Sequence, residues 1–132
     1  MDIKTFEEYI ENFLKGVADT VDVDYSIPAS VKKNNKGVDL YRKSVRLIDE
    51  YYPDRLHEFA KLMESDLPKV SLCCAVSLLD LTEHYTKEQE TLALKIITDI
   101  AEKYDGAEKY GWSIWLKRYK ERKNQNIENS AF

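Results

Sequence analysis

The chain has 132 residues, of which 43% are hydrophobic and 33% charged, enough for one hydrophobic core and short for two. Its four glycines and three prolines are too few for a turn-rich β fold and favour long helices. The formal net charge of −4 weighs against nucleic acid as a partner, since nucleic-acid binders carry a basic footprint. No apolar run reaches the roughly 18 residues of a membrane span.

No basic-then-apolar leader follows Met1, so the expected location is cytoplasmic. The stripe Ile3, Phe6, Ile10, Phe13, Leu14, Val17 and Val21 predicts a first helix over Asp2–Thr20, with Gly16 as its weak point. The stretch Asp22–Asn35, with Pro28 and the Asn34–Asn35 pair, reads as a connector with a short helical turn after Pro28. Val38, Tyr41, Val45, Ile48 and Tyr52 predict a second helix, stopped by Pro53 because the residue before proline avoids the α region. Leu56, Phe59, Ala60 and Met63 predict a short third one.

The chain turns at Ser65–Pro68, where Asp66 or Ser65 can cap a helix with Pro68 in its first turn. The segment that follows, within Leu67–Tyr85 (LPKVSLCCAVSLLDLTEHY), is apolar on nearly every side. A helix of that kind must be covered from two sides, so residues 68–84 are expected to form a buried central helix. Its Cys73 and Cys74 are adjacent, with side chains pointing about 100° apart and no metal-ligand spacing. They read as buried free thiols in a reducing compartment.

Thr86 and Gln89 form a capping box that opens a fifth helix carrying Ala93, Ile96, Ile97, Ile100, Ala101 and Tyr104. Asp105–Gly106 breaks it, and Trp112, Trp115, Leu116 and Tyr119 mark the inner face of a sixth. The basic run Lys117–Lys123 (KRYKERK) reads as a solvated helix end. The expected organisation is one all-α domain over 1–123 and a polar tail over 124–132. The helices pair in order. Laying Val70 on Ala107 also lays Cys74 on Gly111 and Leu79 on Leu116, a spacing in the range of helical-hairpin repeats. Neighbouring hairpins must stack to bury their apolar faces, which predicts a right-handed stack of about three.

Leu62–Leu81 resembles the HEAT-repeat pattern of leucines, an Asp, a Val, then a small pair and Leu-Leu. The longer span Asn35–Arg122 is similar to a family of small bacterial HEAT-like domains, in which an Asn opens the second helix (Asn35 here) and a Trp sits in the last (Trp115 here). HEAT repeats usually carry Arg directly after the Val, and Ser71 stands there, so packing alone is expected to join the helices. The resemblance implies an α-solenoid scaffold. Small acidic helical domains of this pattern also resemble immunity proteins encoded beside bacterial toxins, which implies a protein partner.

Chemistry-bearing patterns are absent from the sequence itself. His57 and His84 have no HExxH or His-x-His spacing, and His84 is expected to end the fourth helix. No Gly-x-Ser-x-Gly elbow or phosphate-cradling glycine loop occurs. The chain is therefore expected to be a non-enzymatic binding module without cofactor or metal. Tyrosine and tryptophan are over-used at interfaces, and Tyr9, Tyr25, Tyr51 and Tyr110 fall off the apolar stripes. These four, with Asp22 and Asp24 of the acidic N-terminal segment and Arg42 and Arg46 of the second helix, are the candidate protein-binding residues. The alternative is nucleic-acid binding on a basic concave face built from Arg42, Lys43, Arg46, Lys69, Lys117, Lys120 and Arg122, with Asp80 as the acid in the groove. Self-association through the last helix or an open end of the stack is the third reading.

Overall fold

The first helix is opened by a local signal at Thr5. In the computed structural model, which describes residues 3–103 and 106–130, the Thr5 hydroxyl accepts from the Glu8 amide at 3.1 Å. The Glu8 carboxylate in return accepts from the Thr5 amide at 3.0 Å, completing a capping box. Helix α1 therefore runs Phe6–Ala18. Ile3 stays outside it and exposed, and Asp2, where the helix was expected to begin, lies outside the described residues. The buried face is Phe6, Tyr9, Phe13, Gly16 and Val17. Tyr9, expected off the core stripe, is only 3% exposed.

Helix α2 spans Pro28–Tyr51, ten residues earlier than the apolar stripe from Val38 implies, with Pro28 at its first position. Asn34 and Asn35 are helix interior, so Asn35 does not open the helix as the HEAT-like pattern implies. What holds this early part is α1. A Cβ on Gly16 would lie 2.5 Å from the Gly37 carbonyl oxygen, and one on Gly37 would lie 2.6 Å from the Gly16 oxygen. Two side-chain-free positions thus let the backbones touch. At the other end the Tyr52 hydroxyl donates to the Lys4 carbonyl at 2.7 Å, so α1 and α2 are antiparallel. Between these ends Phe13 meets Phe59 and Tyr41 edge-on, with ring centroids 5.0 and 5.8 Å apart, and Phe6 and Tyr9 do the same to Tyr52. Such pairs add about 0.5–1.5 kcal/mol each beyond the area they bury.

Pro53 ends α2 as expected. A 3₁₀ turn (Pro53–Arg55), the short helix α3 (Leu56–Ala60) and a second 3₁₀ turn (Lys61–Glu64) follow. All four expected core residues of this stretch, Leu56, Phe59, Ala60 and Met63, are buried. Ser65 accepts from the Leu67 amide at 3.2 Å, shaping the turn rather than capping the next helix, whose N-cap Leu67 has no side-chain bond.

Helix α4 spans Pro68–Leu81. From Val70 to Thr82 no side chain is exposed, so the all-round apolar reading of this helix holds over its inner turns. It packs on α1, α2 and α3. Packing is not unaided, because the Ser71 hydroxyl donates to the Met63 carbonyl at 2.7 Å. The Cys74 thiol likewise reaches the Phe59 carbonyl at 3.4 Å. Both cysteines are free. Burial pushes the Cys73 and Cys74 thiols up, and it pushes the Tyr41 hydroxyl, which touches Cys73, up to about 12. The helix stops at Leu81, short of His84, because Thr82 turns extended while its hydroxyl bonds back to the Leu78 carbonyl at 2.7 Å.

Two compact units, Met1–Ala93 and Leu94–Phe132, divide the chain within α5 (Lys87–Lys103). The expected Thr86–Gln89 box is present, its two bonds being 2.9 and 3.1 Å long. Ala93, Ile97 and Ala101 are buried along α5; Tyr104 and Asp105 lie outside the described residues. Gly106, at φ +71°, supplies the left-handed turn before α6 (Ala107–Ser130). That helix continues through Ser130, so the stretch from Asn124 read as a tail is helical as far as Ser130. Tyr119 is its buried anchor, stacked on Trp115 at 5.4 Å. The described residues are all helix and turn, without a strand. No helix among them is long and apolar enough to cross a membrane.

Candidate interaction surface

The connection between α1 and α2 is a built loop. Thr20 is buried and its hydroxyl bonds the Val17 carbonyl at 2.7 Å, turning the chain out of α1. Four residues on, the Asp24 carboxylate accepts from the Ser26 amide at 2.9 Å and the Ser26 hydroxyl at 2.6 Å, an Asx turn. The Asp24 amide donates to Ser30 Oγ at 2.8 Å, and the Ile27 amide to the Asp24 carbonyl at 3.1 Å. These bonds to Ser26 hold the Asp24 carboxyl below its usual range, so it stays ionised.

Thr20 is buried and Asp24 is fixed by its bonds to Ser26 and Ser30, while three apolar side chains of the same segment stay exposed. Tyr25 is 77% exposed, Val21 55% and Ile27 49%. Three large apolar side chains in seven residues, on a segment with this many internal bonds, are not a solvated linker. Between the end of α1 and the start of α2 lies an open cavity of about 340 Å³ lined by Asp19, Asp22, Val23, Ser30 and Lys33. Lys33 approaches Asp19 only to 3.9 Å.

The other candidates fall elsewhere. Arg42 and Arg46 share one shallow groove of about 490 Å³ on α2, with Lys43 and Leu47 between Asp39 and Glu50. Arg42 is fourteen residues into a helix rising about 1.5 Å per residue, about 21 Å from Pro28, so this groove and the loop are separate places. Tyr51 is exposed at the C-terminal end of α2, and Tyr110 is 68% exposed on α6. Tyr9 belongs to the core, where its ring packs on Tyr52 and its hydroxyl accepts from the Lys4 amide at 3.2 Å. Of the eight sequence candidates, then, Asp22, Asp24 and Tyr25 come together, and Arg42 joins Arg46. Val21 and Ile27 were missed as surface residues, because Val21 continued the apparent α1 stripe.

Two polar clamps tie helix ends together away from the α1–α2 loop. Arg55 lies over the Phe6 ring at 4.0 Å and holds Glu58 through bonds of 2.6 and 3.1 Å and Glu7 at 3.0 Å. A backbone hydrogen bond, with Arg55 second, lowers the Glu7 carboxyl, and the Arg55 bond lowers that of Glu58. Asp49 of α2 accepts from the Glu83 amide at 3.2 Å and meets His84 Nδ1 at 2.8 Å, which raises the His84 pKa. His57 is exposed on α3 and Asp80 is half-buried in α4. Among the described residues no group of His, Cys, Asp and Glu could hold a metal ion.

No family model, no curated protein and no solved structure matches the chain.

Proposed function

We propose that this chain is a non-enzymatic, HEAT-like protein-binding module that engages a basic protein partner through the α1–α2 loop. The observation that carries the reading is the exposure of Val21, Tyr25 and Ile27 beside Asp19, Asp22 and the ionised Asp24 on a hydrogen-bonded loop. Tyrosine held outward on a preformed loop buries much area with little entropy lost. The surrounding carboxylates select a partner of opposite sign. The antiparallel pairing of α1 with α2, and of the Leu56–Glu64 stretch with α4, supports a hairpin-stacked scaffold behind the loop. Neutralisation of a basic bacterial toxin, as an immunity protein, is the duty this charge suits.

The test is titration calorimetry against the product of the neighbouring gene, which this reading requires to be a basic protein. Tight binding is expected, with Tyr25→Ala costing about 2 kcal/mol as an aromatic anchor. No binding, or binding that Tyr25→Ala leaves untouched, refutes the reading.

A further inference from the structure

The basic run of α6 does not lie at a helix end. Lys117–Lys123 sits in the middle of Ala107–Ser130, and the last turn of that helix carries no basic residue. Attraction to the carbonyl end of the macrodipole fades within the final turn, so it does not account for these charges. Arg118 and Arg122, and Lys117 and Lys120, are like charges one turn apart, which destabilises an isolated helix. Seven residues carry a net +4, leaving −8 on the remainder of a chain whose total is −4.

The arrangement is a stripe. Tyr110, Ser113, Lys117 and Lys120 follow one another at three-, four- and three-residue steps, which puts them on one helix face. All four are exposed, and Lys117, Arg118 and Lys120 make no ion pair among the described residues. An exposed aromatic followed by lysines is the counterpart of the α1–α2 loop, with its exposed tyrosine and aliphatics beside Asp19 and Asp22. The overall negative charge of the chain disfavours a nucleic acid at this face.

We infer that this α6 face docks on the α1–α2 loop of a second copy of the chain, Lys117 and Lys120 meeting Asp19 and Asp22 while Tyr110 covers Tyr25 and Ile27. The inference rests on the loop being an interface, as proposed above. The contact is head-to-tail: each copy keeps one loop and one α6 face free, so assembly grows with concentration unless a ring closes.

Sedimentation velocity on the full chain tests this. At about 50 mM salt the sedimentation coefficient should rise with protein concentration, and at about 500 mM, where exposed charges are screened beyond roughly 4 Å, it should not. Lys117→Glu/Lys120→Glu alone, and Asp19→Lys/Asp22→Lys alone, should each stay monomeric. Mixed, they should associate again, because the swapped charges restore both halves of the contact. Circular dichroism checks folding, and Asp22→Lys alone replaces the double variant if that one unfolds. A monomeric wild type at low salt overturns the inference, as does a mixture that fails to associate. Uptake of a labelled nucleic-acid duplex by a monomeric wild type, lost in Lys117→Glu/Lys120→Glu, overturns it in favour of phosphate recognition. A monomer that still binds a basic protein through Tyr25 removes only the second copy and leaves the loop reading standing.

Discussion

Gly16 and Gly37 do opposite work to Gly111, although all three sit inside helices. A methyl group on Gly37 would press on the Gly16 carbonyl and on Asp19, at 2.6 and 2.9 Å, whereas one on Gly111 would meet nothing within 4 Å. Backbone cannot yield as a long side chain can. Gly37→Ala should therefore separate α1 from α2 and cost about 1–3 kcal/mol, the range for overfilled contacts. Gly111→Ala, on an exposed helical position, should gain about 0.5–1 kcal/mol by restricting the unfolded chain. Urea unfolding followed by circular dichroism would read both, and equal signs would contradict the crossing. This crossing also explains what the sequence conceals. Residues 28–37 have few apolar side chains and two asparagines, so no stripe announces a helix; the contact that makes them helical is a backbone approach from elsewhere. Tyr9 was better marked, since Phe6, Tyr9 and Phe13 stand three and four apart, but the aliphatic Ile10 and Leu14 drew the apparent stripe around the helix. The Asx turn of Asp24 is a local pattern, and its consequence, an outward Tyr25, follows only once Thr20 is seen to be buried and Ser30 to bond the Asp24 amide.

At the level of helices, α4 is the element that its own residues specify best. Pro68 starts it, no side chain from Val70 to Thr82 is exposed, and Thr82 closes it with a bond to Leu78. Leu78 is fully buried, so Leu78→Ala should cost about 2–5 kcal/mol, the range for emptied core positions. The amides of Cys74–Leu79 should exchange with solvent only through global unfolding, more slowly than those of the exposed residues Lys117, Arg118 and Lys120 of α6. Faster exchange in α4 than in α6 would show that α4 is not the centre of stability. The far end of α4 is joined to α2 differently, through Asp49 and His84. Because the bond to Asp49, with its negative charge, raises the His84 pKa above 6.5, this clasp favours the protonated ring. Its contribution is complete below pH 6.5 and is lost as pH rises through the raised value. The wild type should thus lose urea resistance relative to His84→Gln as pH rises from about 6.5 through the raised value, with the Glu83 carboxylate adding to the same upward shift. Parallel pH profiles for the two proteins would remove His84 from the clasp.

Across the whole chain, charge and apolar exposure separate two tasks that a single affinity would blur. The −8 outside the basic run of α6 would attract the proposed basic partner from beyond contact distance, and that attraction would be screened within about 8–10 Å at ordinary salt. Rim carboxylates such as Asp22 act mainly on encounter, while an aromatic seated in the contact acts on escape. Asp22→Lys should accordingly lower the association rate of a basic partner about tenfold at low salt and much less at high salt, with its dissociation rate nearly unchanged. Tyr25→Ala should raise the dissociation rate by the roughly thirtyfold that about 2 kcal/mol implies, independently of salt. Surface plasmon resonance at two salt concentrations separates the two. If Asp22→Lys altered escape and Tyr25→Ala altered encounter, the loop would be steering through its aromatic and anchoring through its carboxylate. That assignment is incompatible with an outward Tyr25 and an exposed Asp22, and the partner would have to bind at another face.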